Sequence, residues 1–397
     1  MDFTSFRKLL TPKGQQALQD AMQMDPREAD FLPLFTALSR RYSPETARAA
    51  LEIAILRKEA AAKFPFAERM YFTREALEQA SAYPVSAYRS QRYRPYKRLA
   101  DLGCSVGGDT LALAGQAPTT GVDRDPLRLA MARLNLAALG LASRTSFLQA
   151  DLNQAIPLGA SEEVALFFDP ARRSGQRRAF SVANYQPPLA VIQTWLAHFP
   201  SLGVKISPGV DLAELQAYDA EVEFISLQGD LKEAALWFGP LKTVSRRATL
   251  LPGPHTLTAV ERPGQGRLLP VDQPRQYLYE PDAAVLRAGL VQDLGVQLQA
   301  AQLDEDIAYL TSHSLIHTPF ARVWPVEDWF PFQLKELRSA LRARRVGRVV
   351  VKKRGSPLQP EALIRDLRLK GDHERVIFLT HLRGRPIVIL SRGEIND

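Results

Sequence analysis

Residues 101–109, DLGCSVGGD, decide the fold of this chain. The apolar run RLADLG leads into this stretch and the helix-like run GDTLALAG leaves it, so its glycines lie between a strand and a helix. Gly103 and Gly107 allow a ligand to approach the backbone closely, and parallel sheets bind nucleotides at such strand-to-helix crevices. The stretch therefore predicts a nucleotide-binding turn, with a plain structural turn as the alternative.

Short apolar runs alternate with amphipathic runs after this stretch. The predicted strands are TTGVD, TSFLQAD, VALFFD, LGVKIS and VEFISL, and their alternation with helical runs predicts βαβ units on a parallel sheet. The preceding sequence is rich in Ala, Leu, Glu and Arg at helical spacing, whereas Pro and Gly concentrate between residues 251 and 275. We therefore expect a helical region, an α/β domain and, after a linker, a smaller α/β domain. Their predicted limits are residues 1–85, 86–262 and 276–397.

The composition is that of a folded protein, since 46% of the residues are hydrophobic and 24% are charged, which excludes wholesale disorder. Cys104 is the only cysteine, so the chain cannot form an internal disulfide or a thiolate zinc site. No stretch approaches 18 uninterrupted apolar residues, and the first residues lack the pattern of a signal peptide. We expect a cytoplasmic protein without membrane contact.

Positive charge concentrates towards the end of the chain. Residues 335–397 hold 16 Lys or Arg and 7 Asp or Glu, a net charge of +9, whereas the whole chain carries +8. The most basic part, residues 335–354, ends with Lys352, Lys353 and Arg354. Clustered cations attract the phosphates of nucleic acids. The segment therefore predicts contact with RNA or DNA, and a solvated helix face is the alternative.

A carboxylate follows the glycine stretch at the spacing expected for a ribose ligand. Asp123 ends the strand TTGVD about 20 residues later, where an acid can hold ribose hydroxyls. NAD or FAD would place a pyrophosphate at the helix start, where Asp109 would repel it. S-adenosylmethionine has no phosphate and carries positive charge, and Ser105 breaks the G-x-G-x-x-G spacing of dinucleotide sites. The residues favour S-adenosylmethionine, with a dinucleotide as the alternative.

The glycine stretch followed by GVDRDP resembles the first two motifs of class I S-adenosylmethionine-dependent methyltransferases. The similarity is closest to a bacterial family that ends in a THUMP-like domain, and it spans nearly the whole chain. The central part is also similar to trimethylguanosine synthase, which methylates an exocyclic guanine amine on RNA. The segments that carry the likeness, besides the glycine stretch, are KFPFAERMYFTREALEQAS (63–81), FFDPARR (167–173), VKISPG (204–209), YLYEPDAAVLRAGL (277–290) and VKKRG (351–355).

This resemblance implies a Rossmann-like catalytic domain after a helical N-terminal region, and a smaller C-terminal α/β domain that is THUMP-like. It also implies that Asp101 and Gly103 line the methionine end of the cofactor, that Gly107 shapes the turn, and that Asp123 binds the ribose diol. THUMP domains are associated with RNA-modifying enzymes, so RNA is the partner that the likeness suggests by analogy.

Three further residues would contact the cofactor if the likeness holds. Asp151, at the end of TSFLQAD, matches the position that commonly binds the adenine amino group, and a helix cap is its equal alternative. Phe72 and Thr73, in MYFT, resemble the segment that closes over the cofactor, and apolar packing is their alternative role.

The catalytic candidates are Asp169 and Pro170, at the end of VALFFD. In related amino-group methyltransferases this position reads D/N-P-P-aromatic, and the acid or amide oxygen and a proline carbonyl accept hydrogen bonds from the target amine. Those bonds free the lone pair of the nitrogen and align it for attack. Here Ala171 and Arg172 replace the second proline and the aromatic residue. Asp169 could therefore act as a base for another acceptor, or end its strand in a simple turn.

A basic loop follows the catalytic candidates. Guanidinium groups stack on bases or bind phosphates, so this loop suits an anionic substrate. Its predicted substrate-binding residues are Arg172, Arg173, Arg177 and Arg178.

We expect no metal site. His313 and His317 are four residues apart, but Ser, Thr and Pro around them predict a loop, and no carboxylate motif accompanies them. The leading hypothesis is thus a methyltransferase that uses S-adenosylmethionine to methylate a base of RNA. The alternatives are an RNA-binding protein that has the fold without turnover, and a methyltransferase for a small molecule or a protein.

Overall fold

The computed structural model describes residues 1–154, 156–172, 181–260 and 269–395. The chain forms two compact units, each built from two stretches of sequence. The first unit comprises Met1–Glu221 and Lys232–Thr243, and the second comprises Val222–Leu231 and Val244–Asp397. The domain limits given above stay predictions.

The first unit begins with six helices. Their starts follow from local chemistry, because Thr11 and Ser43 cap helices whose first residue is a proline, and proline suits that position since it has no N–H to satisfy. The apolar faces of these helices form one core with buried residues such as Leu51, Ile53 and Phe72. The helices are α1 (Phe3–Leu9), α2 (Pro12–Gln23), α3 (Phe31–Leu38), α4 (Pro44–Ala60), α5 (Arg74–Gln79) and α6 (Tyr83–Ser90).

A mixed sheet follows in the same unit. Five of its strands are parallel, and the sixth, β9, is antiparallel to β7. The strand order is β9-β7-β4-β1-β2-β3. The strands are β1 (Arg98–Leu102), β2 (Thr119–Asp123), β3 (Thr145–Gln149), β4 (Val164–Phe168), β7 (Leu202–Ile206) and β9 (Asp230–Trp237). The helices between them are α7 (Gly108–Gln116), α8 (Pro126–Ala138) and α9 (Ile192–Leu196), and a separate pair of short strands is β5 (Ala171–Arg172) with β6 (Tyr185–Gln186).

This strand order fixes where a ligand can bind. The chain runs outward from β1 to β3 and returns to β4 on the other side of β1, so the direction of winding reverses between β1 and β4. Parallel α/β sheets bind ligands at the carboxyl ends of the strands at such a reversal. Residues 101–109 begin within β1 and continue into α7, at this point.

The second unit contains β8 and β10, which are parallel, β11, which is antiparallel to β10, and two four-stranded sheets. The four-stranded sheets have the orders β13-β14-β12-β15 and β16-β19-β18-β17. The first group is β8 (Glu221–Leu227), β10 (Arg246–Leu251) and β11 (His255–Thr258); the others are β12 (Tyr277–Pro281), β13 (Ala301–Gln302), β14 (Leu310–Ser312), β15 (Ala321–Pro325), β16 (Asp328–Pro331), β17 (Val346–Lys353), β18 (His373–Leu382) and β19 (Arg385–Ser391). Its helices are α10 (Ala283–Arg287), α11 (Val291–Gln297), α12 (Leu334–Ala343) and α13 (Pro360–Leu367).

The predicted architecture is confirmed: a helical N-terminal region precedes an α/β unit with a mostly parallel sheet, and smaller α/β elements follow. The acidic triplet Asp304–Asp306 lies between β13 and β14, and no helix begins there. Asp304 is buried and accepts a hydrogen bond from the backbone N–H of Gly384. In the described part of the chain, no helix combines the length and apolarity that crossing a bilayer requires.

Candidate active site

A cavity of about 330 Å³ lies at the carboxyl ends of β1, β2 and β4. Its walls come from α5, the glycine turn and the segments that follow β2, β3 and β4. The residues that line it include Glu75, Ala76, Gln79, Gly103, Ser105, Asp109, Asp123, Arg124, Asp125, Arg128, Asp151, Asn153, Asp169, Pro170, Ala171 and Gln186. The cavity therefore coincides with the predicted nucleotide-binding turn.

The glycine turn needs its glycines for two different reasons. Gly103 has a φ of +81°, and a Cβ on it would lie 2.6 Å from the main-chain oxygen of Asp169. Gly107 has a φ of +85°, and a Cβ there would lie 2.7 Å from a methyl carbon of Leu136 on α8. L-residues rarely adopt this backbone conformation. Gly103 thus permits the contact with the Asp169 segment, and Gly107 permits the packing of the turn on α8.

Asp123 organises the turn next to the cavity. Its Oδ2 accepts a hydrogen bond of 2.9 Å from the backbone N–H of Ser105, and its Oδ1 accepts one of 2.9 Å from that of Asp125. A carboxylate oxygen can accept more than one hydrogen bond. Asp123 lines the cavity while it fixes the turn, so the ribose role predicted for it agrees with its position.

Asp101 lies beneath the turn and is not among the described residues that line the cavity. Thr110 donates a hydrogen bond of 2.5 Å to its Oδ2, while its buried Oδ1 has no hydrogen-bond partner among the described residues. Burial raises the pKa of Asp101 well above its usual value, and the charge of Asp109 adds to this increase. Asp101 thus lies behind the turn, and the direct cofactor contact predicted for it stays a prediction.

Asp151 and the segment predicted to cover the cofactor have different positions. Asp151 is exposed and lines the cavity, and its Oδ1 accepts hydrogen bonds from the backbone and side-chain nitrogens of Asn153. These bonds fix a turn, because none of the described residues that follow Asp151 starts a helix before β4. Phe72 is buried against Phe64, and Thr73 caps α5 through Ala76. Neither Phe72 nor Thr73 is among the described residues that line the cavity. Helix α5, which begins directly after Thr73, forms that wall instead.

Asp169 follows β4 and faces the cavity together with Pro170. Its side chain is 27% exposed, and Lys205 Nζ lies 2.8 Å from its Oδ2. Burial raises the pKa of Asp169, while the charge of Lys205 counteracts this increase. The segment thus presents a carboxylate that is fixed by an ion pair through one of its two oxygens.

Three charged residues behind the cavity were missed by the sequence analysis. Arg89 is 2.6 Å from Asp109 Oδ1 through Nη2 and 2.6 Å from Glu233 Oε1 through Nε, and its guanidinium lies over the ring of Phe167. A largely buried charge cluster results, and its members are Arg89, Asp109, Glu233, Lys205 and Asp169. Lys205 is the one charge in the otherwise apolar strand β7, a signal that the sequence could have offered.

The ion pair of Asp109 changes one argument made from the sequence. From the sequence alone, Asp109 is an uncompensated negative charge that would repel a phosphate at the start of α7. Since Arg89 neutralises it, Asp109 alone does not decide between cofactor classes. The lining as a whole stays acidic, because its six carboxylates outnumber the two arginines of the lining and the two cations behind it, Arg89 and Lys205, and it therefore favours a cation over a diphosphate. The six acids are Glu75, Asp109, Asp123, Asp125, Asp151 and Asp169, and the two bases are Arg124 and Arg128.

The predicted substrate-binding arginines can be located only in part. The backbone of Arg172 belongs to β5, next to Ala171 in the cavity wall, whereas Arg173, Arg177 and Arg178 lie outside the described residues. Within residues 1–154, 156–172, 181–260 and 269–395, no group of three or more His, Cys, Asp or Glu side chains could hold a metal ion.

The late basic residues of the second unit are partly engaged with other side chains. Lys352 Nζ is 2.5 Å from Glu280 Oε2 and lies over the ring of Trp324. Lys353 is exposed and donates to the main-chain oxygen of Leu358. Arg354 lies over the ring of Tyr309. In the folded structure, this basic run should therefore attract phosphates less strongly than its composition indicates.

The cavity fits an adenosine cofactor that carries a positive centre. Asp123 offers carboxylate oxygens beside a glycine turn, Asp151 lies at the end of the neighbouring strand, and the acidic lining suits a cation. The unpartnered Oδ1 of the buried Asp101 adds negative potential from beneath the turn when that carboxyl is ionised.

Comparison with known proteins identifies the family. An uncharacterized S-adenosylmethionine-dependent methyltransferase of Mycobacterium tuberculosis, found in two strains, is 35% identical over 345 residues, which are 84% of this chain and 92% of the relative. The THUMP domain-like family matches residues 321–392, and a domain family of unknown function matches residues 2–60. A crystal structure from Porphyromonas gingivalis W83, provisionally named a methyltransferase, has the same fold, with a TM-score of 0.76 and 22% identity over 92% of this chain and 99% of that one. The chain belongs to the S-adenosylmethionine-dependent methyltransferases and ends in a THUMP-like domain.

Proposed function

We propose that this methyltransferase acts on a nucleobase of RNA, and that an exocyclic amine is the first acceptor to test. The observation that carries the proposal is the THUMP domain-like match at residues 321–392, in the same chain as a methyltransferase cavity lined by Asp169 and Pro170. Enzymes that carry THUMP domains modify RNA, and this analogy supports the substrate class.

Asp169 is the proposed acceptor-binding residue. Lys205 holds its Oδ2, so Oδ1 is the atom left to accept a hydrogen bond from an amine of the base. Two acceptors, this oxygen and the carbonyl of Pro170, would orient the amine and draw it towards tetrahedral geometry. When bound, S-adenosylmethionine supplies a methyl group on a positively charged sulfur.

The cofactor is proposed to bind along the glycine turn. Asp123 would hold the ribose hydroxyls, Gly103 would leave room at the methionine end, and Asp151 would contact the adenine. Gly107 would act by shaping the turn, and Phe72 and Thr73 by placing α5 over the cavity. Asp101 would contribute negative potential from below the turn.

RNA contact is proposed for the second unit. Arg342, Arg345 and Lys370 border one open groove, and Arg345 pairs there with Asp372. Arg342 and Lys370 are exposed and form no ion pair with another described residue. Lys352, Lys353 and Arg354 stay candidates for contact, with Lys353 as the most exposed of the three. The buried Cys104 is free of a disulfide, which suits the reducing cytoplasm proposed for this reaction.

The test is methyl transfer from isotopically labelled S-adenosylmethionine to total RNA from a strain that lacks this protein, followed by mass analysis of the nucleosides. We expect one labelled nucleoside, and at least about a 100-fold lower rate with Asp169→Ala, because that change removes the oxygen that would accept from the amine together with the ion pair to Lys205. Arg41→Gln, an exposed change in the helical region, is the matched control. Absence of label from every RNA fraction, with tight cofactor binding, would exclude the proposal.

The replacement of the usual second proline and aromatic residue by Ala171 and Arg172 favours a second candidate. Because the stacking platform for a base is missing, the acceptor could instead be a small molecule or a protein, or the fold could serve RNA binding without turnover. Cofactor binding together with salt-sensitive RNA binding, but without transfer to RNA, would favour the last of these. Label that appears in protein or in small molecules only would favour the others.

A further inference from the structure

Lys205 joins two walls of the cavity. It lies on β7, and its Nζ is 2.8 Å from Asp169 Oδ2 and 3.0 Å from the main-chain oxygen of Gln79, the last residue of α5. Asp169 and Gln79 both line the cavity, whereas Lys205 is not among the described residues that do. Its ammonium group therefore acts on the cavity through these two neighbours and not by direct contact.

The surroundings of Lys205 keep it protonated. Asp169 on β4, Asp109 on α7 and Glu233 on β9 face it, as do the cations Arg89 on α6 and Lys63 after α4. Burial lowers the pKa of Lys205, but the three carboxylates outweigh this effect and raise it overall. Lys205 is thus a permanent hydrogen-bond donor and a poor proton acceptor at neutral pH.

A second lysine holds the same helix without contacting Asp169. Lys63 Nζ donates hydrogen bonds of 2.7 Å and 2.8 Å to the main-chain oxygens of Leu77 and Ala80, at the end of α5. The last carbonyls of a helix have no partner within it, so such donors fix its position. Lys63 and Lys205 share the anchoring of α5, but only Lys205 extends this link to the carboxylate.

We propose that Lys205 is a positioning residue for methyl transfer, which holds Oδ2 of Asp169 so that Oδ1 faces the acceptor and fixes this carboxylate relative to α5. The part that concerns Asp169 rests on the function proposed above, while the link between Lys205 and α5 does not. Burial raises the pKa of Asp169 and Lys205 opposes this increase, so the loss of Lys205 should raise the pKa of Asp169 further.

The experiment compares full-length Lys205→Met, Lys205→Arg and Lys63→Met with the unchanged chain. Protein labelled with ¹³C at the aspartate carboxyl carbons is titrated by NMR, and the Asp169 signal is assigned by its loss in Asp169→Asn. Calorimetry gives the dissociation constant for S-adenosylmethionine, and the methylated RNA gives kcat, KM and the pH profile. Lys205→Gln is measured alongside, because Lys205→Met leaves buried carboxylates without a counter-charge and can prevent folding.

We expect Lys205→Met and Lys205→Gln to raise the titration midpoint of Asp169, to move the acid limb of the kcat profile to higher pH, and to lower kcat by about 30-fold with KM within about threefold. Lys205→Arg should restore the midpoint because it keeps the charge. Lys63→Met should weaken cofactor binding by about threefold, because it loosens α5, and leave the midpoint where it is.

An Asp169 midpoint that is the same in the unchanged chain and in folded Lys205→Gln would overturn the proposal. So would a midpoint that rises equally in Lys63→Met, since that result would point to general loosening of the unit. If no RNA is methylated, the function proposed above fails, but the NMR titration and the calorimetry still test Lys205. The two failures are therefore distinguishable.

Discussion

Three buried or half-buried carboxyl groups at and behind the cavity and two acids of the second unit have pKa values shifted in opposite directions. Burial raises the pKa values of Asp101, Asp169 and Glu233 near the cavity. In the second unit, burial also acts to raise the pKa of Glu327, but Arg375, Arg344 and Arg392 lower it overall. The pKa of Asp304 is lowered because backbone N–H groups outweigh its burial.

The direction of the pKa shift separates carboxylates whose ionised form stabilises the fold from carboxylates whose ionised form lowers its stability. A carboxylate with a lowered pKa adds to stability at neutral pH, whereas one with a raised pKa subtracts from it. Groups of the second kind are common at functional sites, so their position at and behind one cavity supports the proposal that this cavity is the chemical site. In the second unit, Glu327 between β15 and β16 pairs with Arg344 after α12 and with Arg375 on β18, so its charge links separate elements of the fold.

The largest effect should come from Gly103→Ala. A Cβ at this position meets the Asp169 oxygen at 2.6 Å in a left-handed backbone, so we expect the first unit to lose roughly 2–4 kcal/mol of stability. Gly115→Ala on α7 is the matched control, because nothing lies within 4 Å of its Cβ and it should gain about 0.5–1 kcal/mol. Urea unfolding with pulsed hydrogen exchange reads each unit separately. An equal loss of stability in both units would contradict this prediction.

Asp123→Ala should weaken cofactor binding by about 100-fold, because it removes the acceptor for the Ser105 and Asp125 N–H groups along with the proposed ribose contact. Asp151→Ala removes an exposed carboxylate from the same lining, and we expect only about a threefold loss. Calorimetry with S-adenosylmethionine measures both. A weaker effect of Asp123→Ala than of Asp151→Ala would contradict the roles proposed for these residues.

Mild acid should act differently on the two regions. Asp101, Asp169 and Glu233 bind protons more tightly when folded, so the segments around the cavity should gain stability as the pH falls from 7 towards the unfolded pKa values, near 4. Glu327 and Asp304 have lowered pKa values, so the stability that they give is present above the unfolded values and is lost as the pH falls through the folded ones. Urea midpoints at pH 7, 5 and 4, read for each unit by pulsed exchange at one labelling pH, test this. Parallel changes would refute it.

The smallest effect should come from the surface of the second unit. Arg342→Gln combined with Lys370→Gln should weaken RNA binding by about 3- to 10-fold and reduce the slope of log K against log salt by about 1.4, as expected for two lost phosphate contacts. The matched control, Lys13→Gln with Arg40→Gln, removes the same charge from exposed positions of the helical region. Fluorescence titrations over a range of salt concentrations measure the slopes. An equal loss in the control would mean that net charge alone governs binding.

The sequence was sufficient for the five parallel strands of the first unit and for the glycine turn, but it did not indicate β5, β6 or β9. The glycine turn and the acids that end β1, β2 and β4 are adjacent to their strands, so their placement follows from local pattern. The conformations of Gly103 and Gly107 likewise follow from a turn that only glycine adopts easily.

Long-range pairing explains what sequence could not supply. Arg89 and Asp109 are 20 residues apart, Lys205 and Asp169 are 36 apart, and Ser81 binds Glu233 across 152 residues. No local periodicity encodes such pairs. Likewise, the basic run at residues 335–354 is less available for RNA than the sequence indicated. Lys352 and Arg345 in this run pair with Glu280 and Asp372, which lie elsewhere in the sequence.

The short pair of strands β5 and β6 has a consequence for how this enzyme could change its substrate. Ala171 and Gln186, which belong to this pair, line the cavity opposite the glycine turn, and neither strand belongs to the main sheet. If the proposed roles hold, the donor side of the site rests on segments of the main sheet, and part of the acceptor side rests on this separate pair of strands. Exchange of residues 170–187 between relatives should then alter the preferred acceptor and leave donor affinity intact.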